Sequence, residues 1–150
     1  EPDLCDWEQV TEEDNADWEW VNGSQGAAGS DHSYKTPVGH YLQLTTIEQE
    51  AGTQKKAFLQ LPPFMDMAVG DYCFQLYYLR FGGIRPGNIS ILVEFAGDIT
   101  PVVELNDIDG TLLWTLLQQT YSNYEDQATV GFVVSGEVGA SSSETGRSVV

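Results

Sequence analysis

Between residues 14 and 33 the sequence DNADWEWVNGSQGAAGSDHS sets Asp14, Asp17 and Asp31 around two tryptophans and a glycine-rich run. Carboxylates are calcium ligands. The ion takes six to eight oxygens and often draws them from loops far apart in the chain. If the run folds back the three aspartates converge as candidate ligands for calcium or another cation in a structural role. NDIDG (106 to 110) is not an EF-hand loop, because no glutamate stands at its twelfth position.

Asp31 precedes His32, and His40 is the other histidine. Neither lies in a nucleophile elbow or an HExxH arrangement. A Ser-His-Asp set needs its base beside the nucleophile, so the Asp31-His32 pair reads instead as a carboxylate that orders a loop or binds a cation. Glycoside hydrolysis needs two carboxyls about 5–10 Å apart across a cleft. The acids here fall largely in turns such as NDIDG and AGDI, where they cap backbone N–H groups and solvate the surface. No residue is assigned a catalytic role.

Exposed indoles stack on sugar faces, so Trp7, Trp18, Trp20 and Trp114 raise a glycan-binding alternative. Trp18 and Trp20 share one face of a strand, where burial is the commoner outcome. Asn22-Gly23-Ser24 and Asn88-Ile89-Ser90 match the N-glycosylation acceptor pattern. Two acceptors favour a secreted chain, in which Cys5 and Cys73 would be oxidised. Their number leaves open one bridge, two buried thiols or bonds to partners elsewhere. EPDLCDWEQ lacks the basic and apolar regions of a secretory signal, as expected of a processed chain or an internal piece of a longer one.

The elements that must position these residues are strands. Alternation aligns Leu42 with Leu44 in HYLQLTT, Leu59 with Leu61 in KAFLQL, Phe74, Leu76 and Tyr78 in YCFQLYYL, and Ile89, Ile91, Val93 and Phe95 in NISILVEF. TPVVEL, TLLWTLL and ATVGFVVSG supply further short strands. Pro62-Pro63, Gly82-Gly83, Pro86-Gly87, Gly97-Asp98 and Asp109-Gly110 supply turns. This spacing, without helices between, predicts an all-β fold: a two-sheet antiparallel β-sandwich. GSQGAAGS (23 to 30) and GASSSETG (139 to 146) read as flexible surface loops. The β-prone Ser148-Val149-Val150 leads us to expect further residues in a parent protein.

A length of 150 residues fits a single domain, 1 to 150. Its apolar runs fall short of the ~20 residues that cross a bilayer, so no direct membrane insertion of this segment is expected. The chain has 23 acidic and 6 basic residues, a net charge of −17. A field of that sign repels nucleic acid and anionic headgroups and favours cations or basic protein surfaces.

The order of motifs resembles a MAM domain, the extracellular adhesion module named for meprin, a neuronal surface antigen of the neuropilin type and the receptor protein tyrosine phosphatase mu. LCDWEQ (4 to 9), EEDNADWEW (12 to 20), DHS (31 to 33) and GHYLQL (39 to 44) are similar to its opening segments. KKAFLQLPPF (55 to 64) and YCFQLYY (72 to 78) resemble its middle, and GNISILVE, LLWTL and GFVVSGEVG its end. The resemblance implies a jelly-roll-like sandwich trimmed at both ends, with Cys5 and Cys73 each bonded to a cysteine outside this chain. It places a cation near Asp17 and Asp31, facing a closing segment that the 150 residues do not contain. The family carries a longer, Trp-bearing passage between Trp114 and Phe132, so the sheet is expected to be shortened or altered there, with Tyr121 or Tyr124 in place of that tryptophan. The function implied is a non-catalytic extracellular adhesion or recognition module. Its partners would be other extracellular proteins or a second copy of itself, and Arg80, Arg85 and the 81 to 88 loop would be contact anchors. The alternatives are an accessory domain of a secreted enzyme such as a protease, and a glycan-binding module.

Overall fold

The computed structural model describes residues 4, 6–12, 14–45, 54–81, 87–96, 98–105, 113–141, 144–145 and 147–149. Cys5, Arg85, the NDIDG segment and the Gly82-Gly83 and Asp109-Gly110 turns lie outside them. Among the described residues there is no helix. The strands are β1 (Glu8–Gln9), β2 (Glu19–Asn22), β3 (His40–Thr45), β4 (Gln54–Gln60), β5 (Phe64–Met67) and β6 (Gly70–Phe81), followed by β7 (Asn88–Phe95), β8 (Asp98–Leu105), β9 (Thr115–Asn123), β10 (Ala128–Ser141), β11 (Glu144–Thr145) and β12 (Arg147–Val149).

They form two antiparallel sheets. The larger runs β1-β4-β10-β7-β8, with β5 and β11 also paired to β10; the smaller runs β2-β3-β12-β6-β9. The period-2 pattern explains which faces meet. Ile89, Ile91 and Val93 on β7, Val130, Phe132, Val134 and Val138 on β10, and Ala57 and Leu59 on β4 are buried. Leu44 of β3 and Tyr78 of β6 meet them from the smaller sheet, with Leu42, Phe74 and Leu76 packed beside. The alternation that defines these strands also builds the core between the sheets.

Trp18, just before β2, is 3% exposed, and its indole lies over Gly136. A methyl built at Gly136 would collide with Cζ2 and Cη2 of Trp18, so glycine is required for this approach. The Gln9 side chain brackets the Trp18 backbone, donating to its carbonyl at 2.6 Å and accepting from its N–H at 3.2 Å. Pro101 lies in β8, an edge strand, where proline is tolerated; the register slips between Ile91 and Leu92 opposite it.

Two expectations are corrected. Residues 23 to 30 are packed rather than free: Ala27 N–H donates to Gln43 Oε1 at 2.8 Å and Ala28 N–H to the Tyr41 hydroxyl at 2.8 Å. Their small side chains let the backbone lie against β3, which is why composition alone suggested flexibility. GASSSETG is in part a hairpin, with Ala140 opposite Thr145 and Ser141 opposite Glu144. In the passage after Trp114, QQTYSN completes β9, which pairs with β6 from Tyr78–Thr115 to Gly70–Asn123. Tyr121 meets Phe132 edge-on at 5.6 Å, whereas Tyr124 is 84% exposed.

Candidate functional site

Asp31 is buried, at 4% exposure, and its carboxylate organises its own loop. Oδ2 accepts from Tyr34 N–H at 2.7 Å; Oδ1 accepts from Thr36 N–H at 2.9 Å and from the Thr36 hydroxyl at 3.3 Å. The Tyr34 and Thr36 backbone donors hold its pKa below the usual carboxylate value, against the opposing effect of burial. Gly39 abuts the same carboxylate so closely that a side chain there would collide with it.

Asp17 is exposed. Asp14 lies at the edge of the larger sheet, where Oδ2 accepts from Phe58 N–H at 2.8 Å in the manner of a strand carbonyl. Asn15 does the same for Lys56 N–H at 2.7 Å and donates to the Gln54 carbonyl. Among the described residues no group of three or more His, Cys, Asp or Glu side chains is placed to hold a metal ion. The carboxylates at 14 and 31 serve backbone N–H groups, and a calcium cage at Asp17 and Asp31 needs further oxygen ligands beyond the side-chain carboxylates described.

Asn22 ends β2 and opens a turn. Its Oδ1 accepts from the Ser24 hydroxyl at 2.7 Å and from Gln25 N–H at 3.0 Å, and its carbonyl accepts from Gln25 and Gly26 N–H. Asn88 begins β7 and lies opposite Glu137 within the larger sheet. Cys73 is an exposed free thiol on β6.

Of the tryptophans, Trp18 is core and Trp7 packs edge-on to Phe74 at 6.3 Å. Trp114 donates from Nε1 to the Ser30 carbonyl at 3.3 Å and meets Tyr41 at 5.7 Å. His32 stacks on Tyr77, with ring centroids 3.4 Å apart, so it belongs to the aromatic floor beneath the 23–39 segment. Trp20 is the exception: it is 41% exposed and stacks on His40, because β2 is an edge strand. Arg80 is no contact anchor. It is 1% exposed, and its guanidinium donates to the Leu105 carbonyl, tying β6 to the end of β8.

A feature that spacing alone does not reveal lies on the outer face of the larger sheet. Asn88 and Ser90 of β7, Glu104 of β8, and Ser135 and Glu137 of β10 line a cavity of about 230 Å³. Register explains it: Ser135 faces Ser90, Ser90 faces Glu104, and Asn88 faces Glu137. Small serines form the floor while the carboxylates approach from β8 and β10. Gln54 Nε2 donates to one oxygen of Glu137. Ser135 is 8% exposed and, among the described residues, its hydroxyl makes no hydrogen bond.

A solved structure of similar shape is that of TmCBM61 in complex with β-1,4-galactotriose. It aligns with a TM-score of 0.58 and 14% identity over 95% of this chain and 83% of that chain. The likeness establishes a shared jelly-roll sandwich; the galactotriose belongs to that protein. The family model "MAM domain, meprin/A5/mu" matches residues 1–145. With the sandwich, Trp18 against the core and the Asp31 loop all lying within that match, the chain belongs to the MAM family.

Proposed function

We propose that this chain is a non-catalytic extracellular recognition module that acts through protein–protein contact, including contact between its own copies. Membership of the MAM family over residues 1–145 carries this reading. A rigid sandwich with a charged exterior supports it, since such scaffolds present binding residues at little ordering cost. Copies that associate must offset a charge of −17 by burying a less acidic patch or by recruiting cations. Beads coated with the chain are expected to aggregate with each other or to capture cells bearing a partner. Analytical ultracentrifugation with and without calcium separates the two cases, and a monomer in both conditions removes the self-association half.

In this setting Asn22 is the better placed glycan acceptor. Its acceptor serine is already hydrogen-bonded to it in a turn, whereas a glycan on Asn88 would fill the cavity between β8 and β10. The exposed Cys73 thiol is available to a cysteine outside the chain. Glycopeptide mass spectrometry of secreted protein is expected to find occupancy at Asn22.

A further inference from the structure

We propose that the cavity on the outer face of the larger sheet receives an arginine side chain displayed by a partner protein. The proposal rests on the protein-recognition reading and names the chemistry at one contact. Among the described residues the lining is rich in acceptors, with two carboxylates and two hydroxyls, and holds no cationic side chain. Lys56, opposite Glu137 in register, instead lays its Nζ over the Phe58 ring at 4.5 Å. Ser135 is the informative residue. Its side chain is largely buried, lines the cavity and makes no hydrogen bond among the described residues, so its hydroxyl is open to a donor from a ligand.

Several features select guanidinium among donors. Anions are repelled by both glutamates and by the net charge of −17. A bare ion fills little of about 230 Å³, given a water's share of ~30 Å³. Strands β10, β7 and β8 are adjacent, at ~4.8 Å per step, so the two carboxylates stand on different sides of the serine floor. A planar fork with five donors and no acceptor can meet carboxylates on two edges and hydroxyls between them. The three donors of lysine radiate from a single atom. The same field that excludes anions steers a basic surface toward this face.

The test is a ¹⁵N NMR titration of the whole chain, produced without N-glycosylation so that Asn88 is unmodified, with N-acetyl-arginine amide. Parallel arms use N-acetyl-citrulline amide, an uncharged near-isostere, calcium chloride and methyl galactoside. Arginine is expected to give saturable shifts at the amides of residues 88–90, 104 and 135–137, with citrulline at least about tenfold weaker. Glu104→Gln with Glu137→Gln is expected to weaken arginine binding by about tenfold or more while keeping the native spectrum, and Ser135→Ala by a few-fold. Equal binding of citrulline, shifts elsewhere, shifts from calcium or galactoside but not arginine, or an unaffected well-folded double variant would each overturn the proposal. Bead aggregation or cell capture retained by a chain that ignores arginine sinks this contact and leaves the recognition reading standing. Arginine binding without either activity does the reverse.

Discussion

Trp18 and Gly136 show how a single hydrogen atom can fix a sheet-to-sheet contact. The indole is buried against the glycine, and its Nε1 makes no hydrogen bond among the described residues, so packing rather than polar pairing holds the ring. Gly136→Ala forces the ring or β10 to move and is expected to cost about 1–3 kcal/mol in urea unfolding. Combined with Trp18→Phe, which opens the space, the loss should be smaller than the sum of the single losses. Asp31 makes the complementary point for charge. Its folded pKa is lowered, so the unfolded chain takes up the proton more readily. The stabilisation is therefore present above the ordinary value of about 3.9 and is lost as pH falls below it through the folded value. Thermal melts at stepped pH should show a shallower acid limb for Asp31→Asn, with lower stability at neutral pH. The sequence already marked Asp31 as a loop-ordering carboxylate or a cation ligand, and the hydrogen bonds from Tyr34 and Thr36 show the loop-ordering role.

At the scale of elements, alternation was a sufficient guide wherever one face meets the core, as in β7 and in β6 as far as Tyr77. It was insufficient where both faces are covered. Tyr41 and Gln43 alternate with Leu42 and Leu44 on β3, and all four are buried or half-buried, because the 23–39 segment lies on the far side. That segment looked flexible because its glycines and alanines carry no hydrophobic signal, and its partners come from β3 and Trp114. Tyr41→Phe removes the hydroxyl that Ala28 N–H uses. It is expected to cost about 1 kcal/mol and to raise hydrogen exchange selectively across residues 24–30. The β7–β8 hairpin offers the opposite change. Ala96 sits at φ 53°, left-handed space that suits glycine. Ala96→Gly is expected to stabilise the chain by up to about 1 kcal/mol in the same urea assay, the relief of Cβ strain exceeding the added chain entropy.

For the molecule as a whole, the two-sheet fold and its family could be read from strand spacing and motif order, whereas the cavity could not. Ser90 and Ser135 become neighbours only through the β7–β10 register, and nothing local distinguishes them from ordinary outward-facing serines. Arg80 misled for a related reason: charged side chains usually face water, and its carbonyl partner, Leu105, is distant in sequence. Net charge is the property that acts over every element at once. With −17 on 150 residues, compaction brings like charges together, and raising ionic strength shortens the Debye length from ~30 Å at 0.01 M to ~10 Å at 0.1 M. Sodium chloride over that range is therefore expected to raise the melting temperature, by about 2–4 °C for each kcal/mol of repulsion relieved. Calcium chloride at matched ionic strength separates screening from coordination. Because the described carboxylates at 14 and 31 already serve backbone donors, the calcium and sodium curves are expected to superimpose. A rise specific to calcium would instead require Asp17 and Asp31 to recruit further oxygens, and would move the cation from the surface field to a site.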